Sequence, residues 1–263
     1  MNHIEGKAGG FGYRADISQP IDISIPLAFG GPQPNHFGAP PATAEPLEGG
    51  GFIGDTRRGG SCNAEAYRLV PHCNGTHTEC VGHVTDDRIS IRDTANSAFV
   101  AARLISVKAR TRHGESRITE SDLAETLDGW DERRCTGLIV RTLPNARDKC
   151  TRVYGAASMP AWFTTHAIHA VVNAGIEHLL VDLPSIDRYH DDGKLAAHRV
   201  FWGLPTGSRR ASDATREKAT ITEMIFVPDA VADGDYLLNL QLPPFATDAA
   251  PSRPLLFPLE WLE

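Results

Sequence analysis

At 263 residues, with 41% apolar and 22% charged side chains, the chain has the composition of an ordinary globular protein able to bury a sizeable core. A formal charge of −7 argues against a nucleic-acid partner, and short basic pairs such as Arg57-Arg58 and Arg209-Arg210 read as solvated loops. No apolar run approaches the ~20 residues of a membrane helix, Met1 to Arg14 lacks a signal-peptide core, and five cysteines are an odd number for a disulfide framework, so a cytoplasmic location is the default expectation.

The expected organisation is one domain over residues 1–263, with 1–15 as a candidate N-terminal arm. Within Ile17 to Ile25, Ile21, Ile23 and Ile25 alternate with polar residues, the pattern of a half-buried strand. Residues 30 to 60 are rich in Gly and Pro and read as a long loop region, followed by a strand-like run from Ala66 to Val70. Strands are predicted at Arg103 to Ala109 and at Gly137 to Arg141, the second apolar enough for a sheet buried on both faces. Between them a cap-like Thr119 opens a short helix with Leu123 and Leu127 on one face. A second helix is predicted over Pro160 to Asn173, with Pro160 near its first turn and Gly175 past its end. A strand from Glu177 to Asp182 then runs into the turn Leu183 to Asp187. Strand, helix and strand in this order imply a crossover unit inside a mixed sheet, and the fold class is α/β or α+β.

The chemistry concentrates in one segment, His72-Cys73-Asn74-Gly75-Thr76-His77-Thr78-Glu79-Cys80-Val81-Gly82-His83. On a strand His77 and Glu79 point to the same face, so an imidazole and a carboxylate converge on one cation. Gly75 permits a backbone bend that would bring residue 73 to the same point. Taken singly, each of these side chains is more often a satisfied core or surface group; their density is what asks for a chemical role. The chain has no Gly-x-Ser-x-Gly elbow, no phosphate-binding Gly-x-x-x-x-Gly-Lys and no pair of Cys-x-x-Cys knuckles.

Gly75-Thr76-His77, with Glu79 two residues on and His83 six residues on, resembles the His-x-Gly-Thr-His-x-Asp-x-Pro-x-His signature of the cyclase and kynurenine formamidase family of metal-dependent hydrolases. Val181-Asp182-Leu183-Pro184-Ser185-Ile186-Asp187 is similar to that family's Asp-x-Pro-Ser-x-Asp turn. Ala197-His198 resembles its downstream ligand histidine, and Thr222-Glu223 its closing glutamate. The resemblance runs from about Asp16 to Leu255. It implies a swivelling β/β/α sandwich with a mixed sheet and few helices, assembled as a homodimer or homotetramer. It further implies His77 and Glu79 as metal ligands, Glu79 and Glu223 as candidate bridges between two metals, His198 as ligand of the second, and His83 as proton donor and acceptor. A divalent ion in such a site activates water and polarises a carbonyl while the imidazole moves protons.

Three departures from the signature stand out. The leading histidine of the signature falls on Cys73, with His72 displaced by one residue, and either side chain is a candidate ligand. A Cys73 thiolate favours zinc over manganese, because soft sulfur selects soft or borderline ions. Glu79 replaces the usual Asp and reaches further by roughly one C–C bond. Val81 replaces the proline at no cost in ligands. The polar stretch Gly203 to Lys218 reads as a surface loop covering the site, and Phe37 is a candidate pocket wall.

The expected activity is therefore metal-dependent hydrolysis of a C–N amide bond in a small aromatic or cyclic amide. The alternatives are a lactone hydrolase or cyclase using the same residues, and a non-catalytic binding or redox protein of the same fold bearing Cys73 and Cys80 as reactive thiols.

Overall fold

The computed structural model describes residues 2–262. An eleven-stranded mixed sheet organises them. From edge to edge its strands are His3–Ala8, Phe11–Asp16, Arg253–Trp261, Gly234–Gln241, Phe99–Lys108, Gly137–Leu143, His178–Val181, Thr220–Glu223, His77–Glu79 and Ala249–Pro251, with Ile21–Asp22 beside Arg253–Trp261. Five α-helices accompany it among the described residues: α1 (Pro71–Asn74), α2 (Ile91–Thr94), α3 (Glu120–Leu127), α4 (Thr165–Asn173) and α5 (Ala196–Trp202). The architecture is α/β, with a mixed sheet and few helices.

The four central strands, Phe99–Lys108, Gly137–Leu143, His178–Val181 and Thr220–Glu223, are parallel. Parallel neighbours need a crossover, and α3, α4 and α5 fall in the three intervals between them. Side chains alternate across such strands, which divides the core in two. Leu138, Val140, Leu179 and Val181 face Leu123, Ile168, Val171, Phe201 and Trp202 of the helices. Ile139 and Leu180 face the opposite way, toward Ile23, Leu104, Ile225, Leu238 and Leu256. The apolar run at Gly137 to Arg141 is thus buried on both faces, and each large aliphatic side chain removed from water there contributes roughly 1.5–3 kcal/mol.

α3 starts where the sequence places it. Asp122 at its third position accepts from the Thr119 backbone N–H at 2.8 Å, half of a reciprocal cap, and Leu123 is fully buried. α4 is shorter than expected, spanning Thr165–Asn173. Trp162 and Phe163 instead pair in parallel with Arg117 and Ile118, and the Thr164 hydroxyl accepts from the Ala167 N–H at 3.2 Å, so the cap and not Pro160 sets the start. Of the strand expected over Ile17 to Ile25 only Ile21–Asp22 is regular, yet Ile23 and Ile25 are buried as the alternation requires. The strand at Glu65–Arg68 belongs to an exposed two-stranded arm with Thr43–Pro46. Among the described residues no helix is long and apolar enough to cross a membrane, and all five cysteines are free.

Candidate metal centre

The short strand His77–Glu79 lies between Thr220–Glu223 and Ala249–Pro251, antiparallel to both. In this register His77 is the cross-strand neighbour of Glu223, which brings an imidazole and a carboxylate to one face, with Glu79 two residues along. On the opposite face Thr78 and Thr222 hydroxyls meet at 2.8 Å and tie the two strands together. All three residues of His77–Glu79 are buried.

Glu79 is the hub. Its Oε1 lies 2.9 Å from His198 Nε2, and its Oε2 lies 2.9 Å from His72 Nδ1 and 3.8 Å from His83 Nε2. Glu223 closes the far side, with its two oxygens 3.5 Å from His77 Nε2 and 3.6 Å from His198 Nε2. It also accepts the Ile186 N–H at 2.8 Å, which joins it to the turn after His178–Val181.

His77 and His198 are arranged alike, and His83 faces a carboxylate at longer range. His77 Nδ1 meets the Gly75 carbonyl at 2.9 Å, His198 Nδ1 meets Asp187 Oδ2 at 2.6 Å, and His83 Nδ1 faces Asp248 Oδ2 at 3.6 Å. A carbonyl or carboxylate oxygen only accepts, so in His77 and His198 Nδ1 carries a proton and Nε2 is the nitrogen turned inward. The buried Nε2 atoms of His77 and His198 and both oxygens of Glu79 nevertheless have no partner in hydrogen-bonding geometry. They lie close to one another but are not aimed at one another, which is what side chains converging on a shared cation show. The donor set, imidazoles with carboxylates, fits a divalent ion of the zinc or manganese type.

The carboxylates and imidazoles of the cluster shift one another. Burial drives the Glu79 carboxyl up, but the charges of His83 and His198 and the nearby imidazoles outweigh it and hold Glu79 well below the usual carboxylate range. Burial likewise opposes charge on His198, and the Glu79 and Asp187 carboxylates raise it well above the usual histidine value. His72 is pulled up to about 10, burial being overcome by Asp248 and Glu79.

Of the residues expected at the site, His77, Glu79, His83, His198 and Glu223 come together. His72 joins them through Glu79; neither Cys73 nor Glu223 is in the three groups of close ligand atoms, His72/His77/Glu79, His72/His83/Asp248 and Glu79/His83/His198, and Glu223 meets the cluster through His77 and His198. For Cys73 the physical reason is α1. Successive residues of a helix diverge by about 100°, so the turn that points His72 at Glu79 gives Cys73 a different direction, with Glu223 as its charged neighbour. Gly75 is extended (φ 160°, ψ −166°), and the change of direction is made by α1 and not by a bend at the glycine. Burial raises the Cys73 thiol, the Glu223 charge adds to this, and burial pushes Cys80 up to about 11.

His198 lies on α5. Asp187 fastens the start of that helix by accepting the Ala197 and His198 N–H groups at 2.8 and 3.1 Å. Two contributors were not singled out in the sequence. Asp187 was visible only as part of a turn, and Asp248 carries no local signal at all. The loop Gly203 to Lys218 is fastened to the segment after His83, with the Arg209 carbonyl accepting the Asp86 N–H at 2.7 Å and Asp87 accepting the Ala211 N–H at 2.6 Å.

Beside the cluster stands an aromatic wall. Phe37 is 58% exposed, which leaves its ring free to meet a substrate, and it stacks on Tyr189 at 5.4 Å with 20° between planes. His36 packs against Phe37 at 3.8 Å, and burial pushes its imidazole down to about 4, with His77 adding to the effect. A cavity of about 420 Å³ is bounded by Asn74, Gly75 and Thr76 but by none of the clustered side chains, so the convergence of polar groups and not this cavity marks the site.

Comparison with known proteins identifies the family and the fold. The model of the family described as "Putative cyclase" matches residues 15–188. No curated protein compared with the chain matches it. Among solved structures, one described as a potential metal-dependent hydrolase with cyclase activity shares 18% identity over 91% of this chain and 98% of its own, with a TM-score of 0.62. Isatin hydrolase A from Labrenzia aggregata, bound to benzyl benzoate, shares 16% identity over 91% and 93%, with a TM-score of 0.61. Isatin hydrolase A from Ralstonia solanacearum shares 14% over 91% of both chains, with a TM-score of 0.60. At these identities the likeness is one of fold. The family match covers the His-rich segment and the turn through Asp187 and stops before His198 and Glu223, which the structure itself adds to the cluster. The chain belongs to this cyclase family.

Proposed function

We propose that this protein is a metal-dependent hydrolase that opens the C–N bond of a small aromatic or cyclic amide. The observation that carries the reading is the set of buried, unpartnered atoms, His77 Nε2, both Glu79 oxygens and His198 Nε2, with Glu223 facing both histidines. Neighbours of the same fold include isatin hydrolases, which supports a cyclic amide as the substrate class.

His77, Glu79, His198 and Glu223 would hold the ion, and zinc suits this imidazole and carboxylate set, with manganese the alternative. When bound, the ion lowers the pKa of water and polarises the scissile carbonyl. Glu79 and Glu223 supply the negative charge that keeps a cation in a buried site. Asp187 locks His198 with Nε2 inward, and the Gly75 carbonyl does the same for His77. His83, one quarter exposed, reaches in from the solvent side, and its Nε2 takes a proton from the attacking water and returns it to the departing nitrogen. Water adds to the carbonyl carbon, the C–N bond breaks, and the products are a carboxylic acid and an amine. Phe37 and Tyr189 form a flat wall suited to an aromatic ring.

The burial of both thiols disfavours the redox alternative, because reactive cysteines are exposed and of lowered pKa. The deciding experiment is metal content of protein purified without added metal, for the native chain and His77→Ala, followed by a panel of aryl formamides, cyclic amides and lactones. Near-stoichiometric zinc or manganese, lost in His77→Ala, with turnover of amides, is the expected result. Absence of metal, with no thermal stabilisation by zinc, manganese or nickel, overturns the reading.

A further inference from the structure

Two of the inward-facing imidazoles have their outer nitrogens fixed by strong acceptors, the Gly75 carbonyl for His77 and Asp187 for His198. The outer nitrogen of His83 faces Asp248, whose Oδ2 lies 3.6 Å from it. The same oxygen lies 2.8 Å from His72 Nε2, and the His72 and His83 rings stack at 4.1 Å with 27° between planes. One carboxylate thus faces two stacked imidazoles at the mouth of the site.

The backbone is built to bring it there. Asp248 accepts the Cys80 N–H on its carbonyl at 3.0 Å, and the next residue, Ala249, pairs with Glu79 across the strands. Gly82, next to His83, leaves the room: a Cβ there would lie 3.2 Å from Asp248 Cβ and 2.4 Å from the Ile89 carbonyl oxygen. No larger residue fits at 82 without moving the carboxylate or the turn that carries His83.

We propose that Asp248 is the positioning residue for His83: its carboxylate selects the Nδ1–H form of the ring and turns Nε2 toward Glu79, while its bond to His72 keeps the stacked partner in register. This rests on the reading of His83 as the proton donor and acceptor. At 3.6 Å the contact is longer than a hydrogen bond, and catalytic hydrogen bonds are often long until substrate is in place. The arrangement follows the general pattern in which a base is oriented by a third group behind it. The Asp248 carboxylate meets His72 and His83, and not His77, Glu79, His198 or Glu223, so it acts on the reaction through His83.

The test uses zinc-loaded protein labelled with ¹⁵N-histidine, comparing the native chain with Asp248→Asn and Asp248→Glu. Long-range ¹H–¹⁵N spectra report which nitrogen of each imidazole carries the proton. In the native chain His83 is expected as the Nδ1–H form, and Asp248→Asn is expected to redistribute it while His77 and His198 stay unchanged. On an amide that the panel shows to be a substrate, kcat of Asp248→Asn falls ~10–100-fold with KM and zinc content unchanged, and Asp248→Glu recovers part of the loss. An unchanged His83 signal in Asp248→Asn overturns the proposal, as does a loss of zinc in proportion to activity, which would make Asp248 a ligand. A native chain that turns over no amide sinks the hydrolase reading alone, because the His83 comparison needs no turnover and still decides the role of Asp248.

Discussion

His198 Nδ1 and Asp187 Oδ2 lie 2.6 Å apart, and the same carboxylate accepts both the Ala197 and His198 backbone N–H groups. One side chain therefore sets the start of α5, the rotation of the ring and its tautomer, and so directs Nε2 toward Glu79 and Glu223. Asp187→Asn keeps one acceptor oxygen but offers an amide in place of the second. Zinc affinity measured by chelator competition is expected to fall ~10–100-fold, with the fold retained. Asp187→Ala also removes the cap, at an additional cost of ~1 kcal/mol in urea unfolding.

Occupation of the centre should stabilise the folded chain. A ligand that binds only the folded state at about 100 times its dissociation constant adds about 2.7 kcal/mol. Thermal unfolding with and without zinc, and after chelation, is expected to show a rise in Tm for the native chain and none for His77→Ala. A Cys73→Ala variant separates the two candidate leading ligands. Because Cys73 stands outside each group of close ligand atoms while His72 faces Glu79, zinc retention is expected to survive Cys73→Ala.

A pH effect on stability is expected from His178, away from this centre. Its ring is buried with Nδ1 2.8 Å from the Thr220 hydroxyl, and burial lowers it from the ordinary value of 6.5 to about 4. Between those values the unfolded chain binds a proton that the folded chain refuses. The contribution is fully present above pH 6.5 and is lost as the pH falls toward 4, to a limit of about 3 kcal/mol. Urea unfolding across that window should show a shallower dependence on pH in His178→Asn than in the native chain.

Lys149 and Asp182 form a buried ion pair at 2.7 Å beneath the turn that leads to Asp187, and Lys149 Nζ also reaches the Thr142 carbonyl at 2.7 Å. Burial pushes the Asp182 carboxyl up, and Lys149 opposes this. Lys149→Met leaves a buried carboxylate without its cation and is expected to cost roughly 3–5 kcal/mol in denaturant unfolding. The double variant Lys149→Met with Asp182→Leu should recover much of that loss, because no isolated charge then remains buried.

Much of this protein was legible from local pattern. The alternation of Ile21, Ile23 and Ile25, the doubly buried run at Gly137 to Arg141 and the capped helix after Thr119 each express a short-range rule of side-chain direction or backbone satisfaction, and the fold obeys them. His77 and Glu79 were legible for the same reason, since two residues two apart on a strand must share a face. The start of α4 was misjudged at Pro160 because the pairing of Trp162–Phe163 with Arg117–Ile118, a contact between distant segments, overrides the preference of proline for a first turn.

What only tertiary structure decided is how the ring of groups closes. A single turn of helix rotates His72 toward Glu79 and gives Cys73 a different direction, a difference between adjacent residues that composition cannot make. Asp248 meets His72 across 176 residues of sequence, because pairing of Ala249–Pro251 with His77–Glu79 carries it to the mouth of the site. Residue type and spacing determine which side chains are able to bind a cation. The strand register and helix rotation determine which of them converge, because convergence is a property of distances in space that no local period encodes.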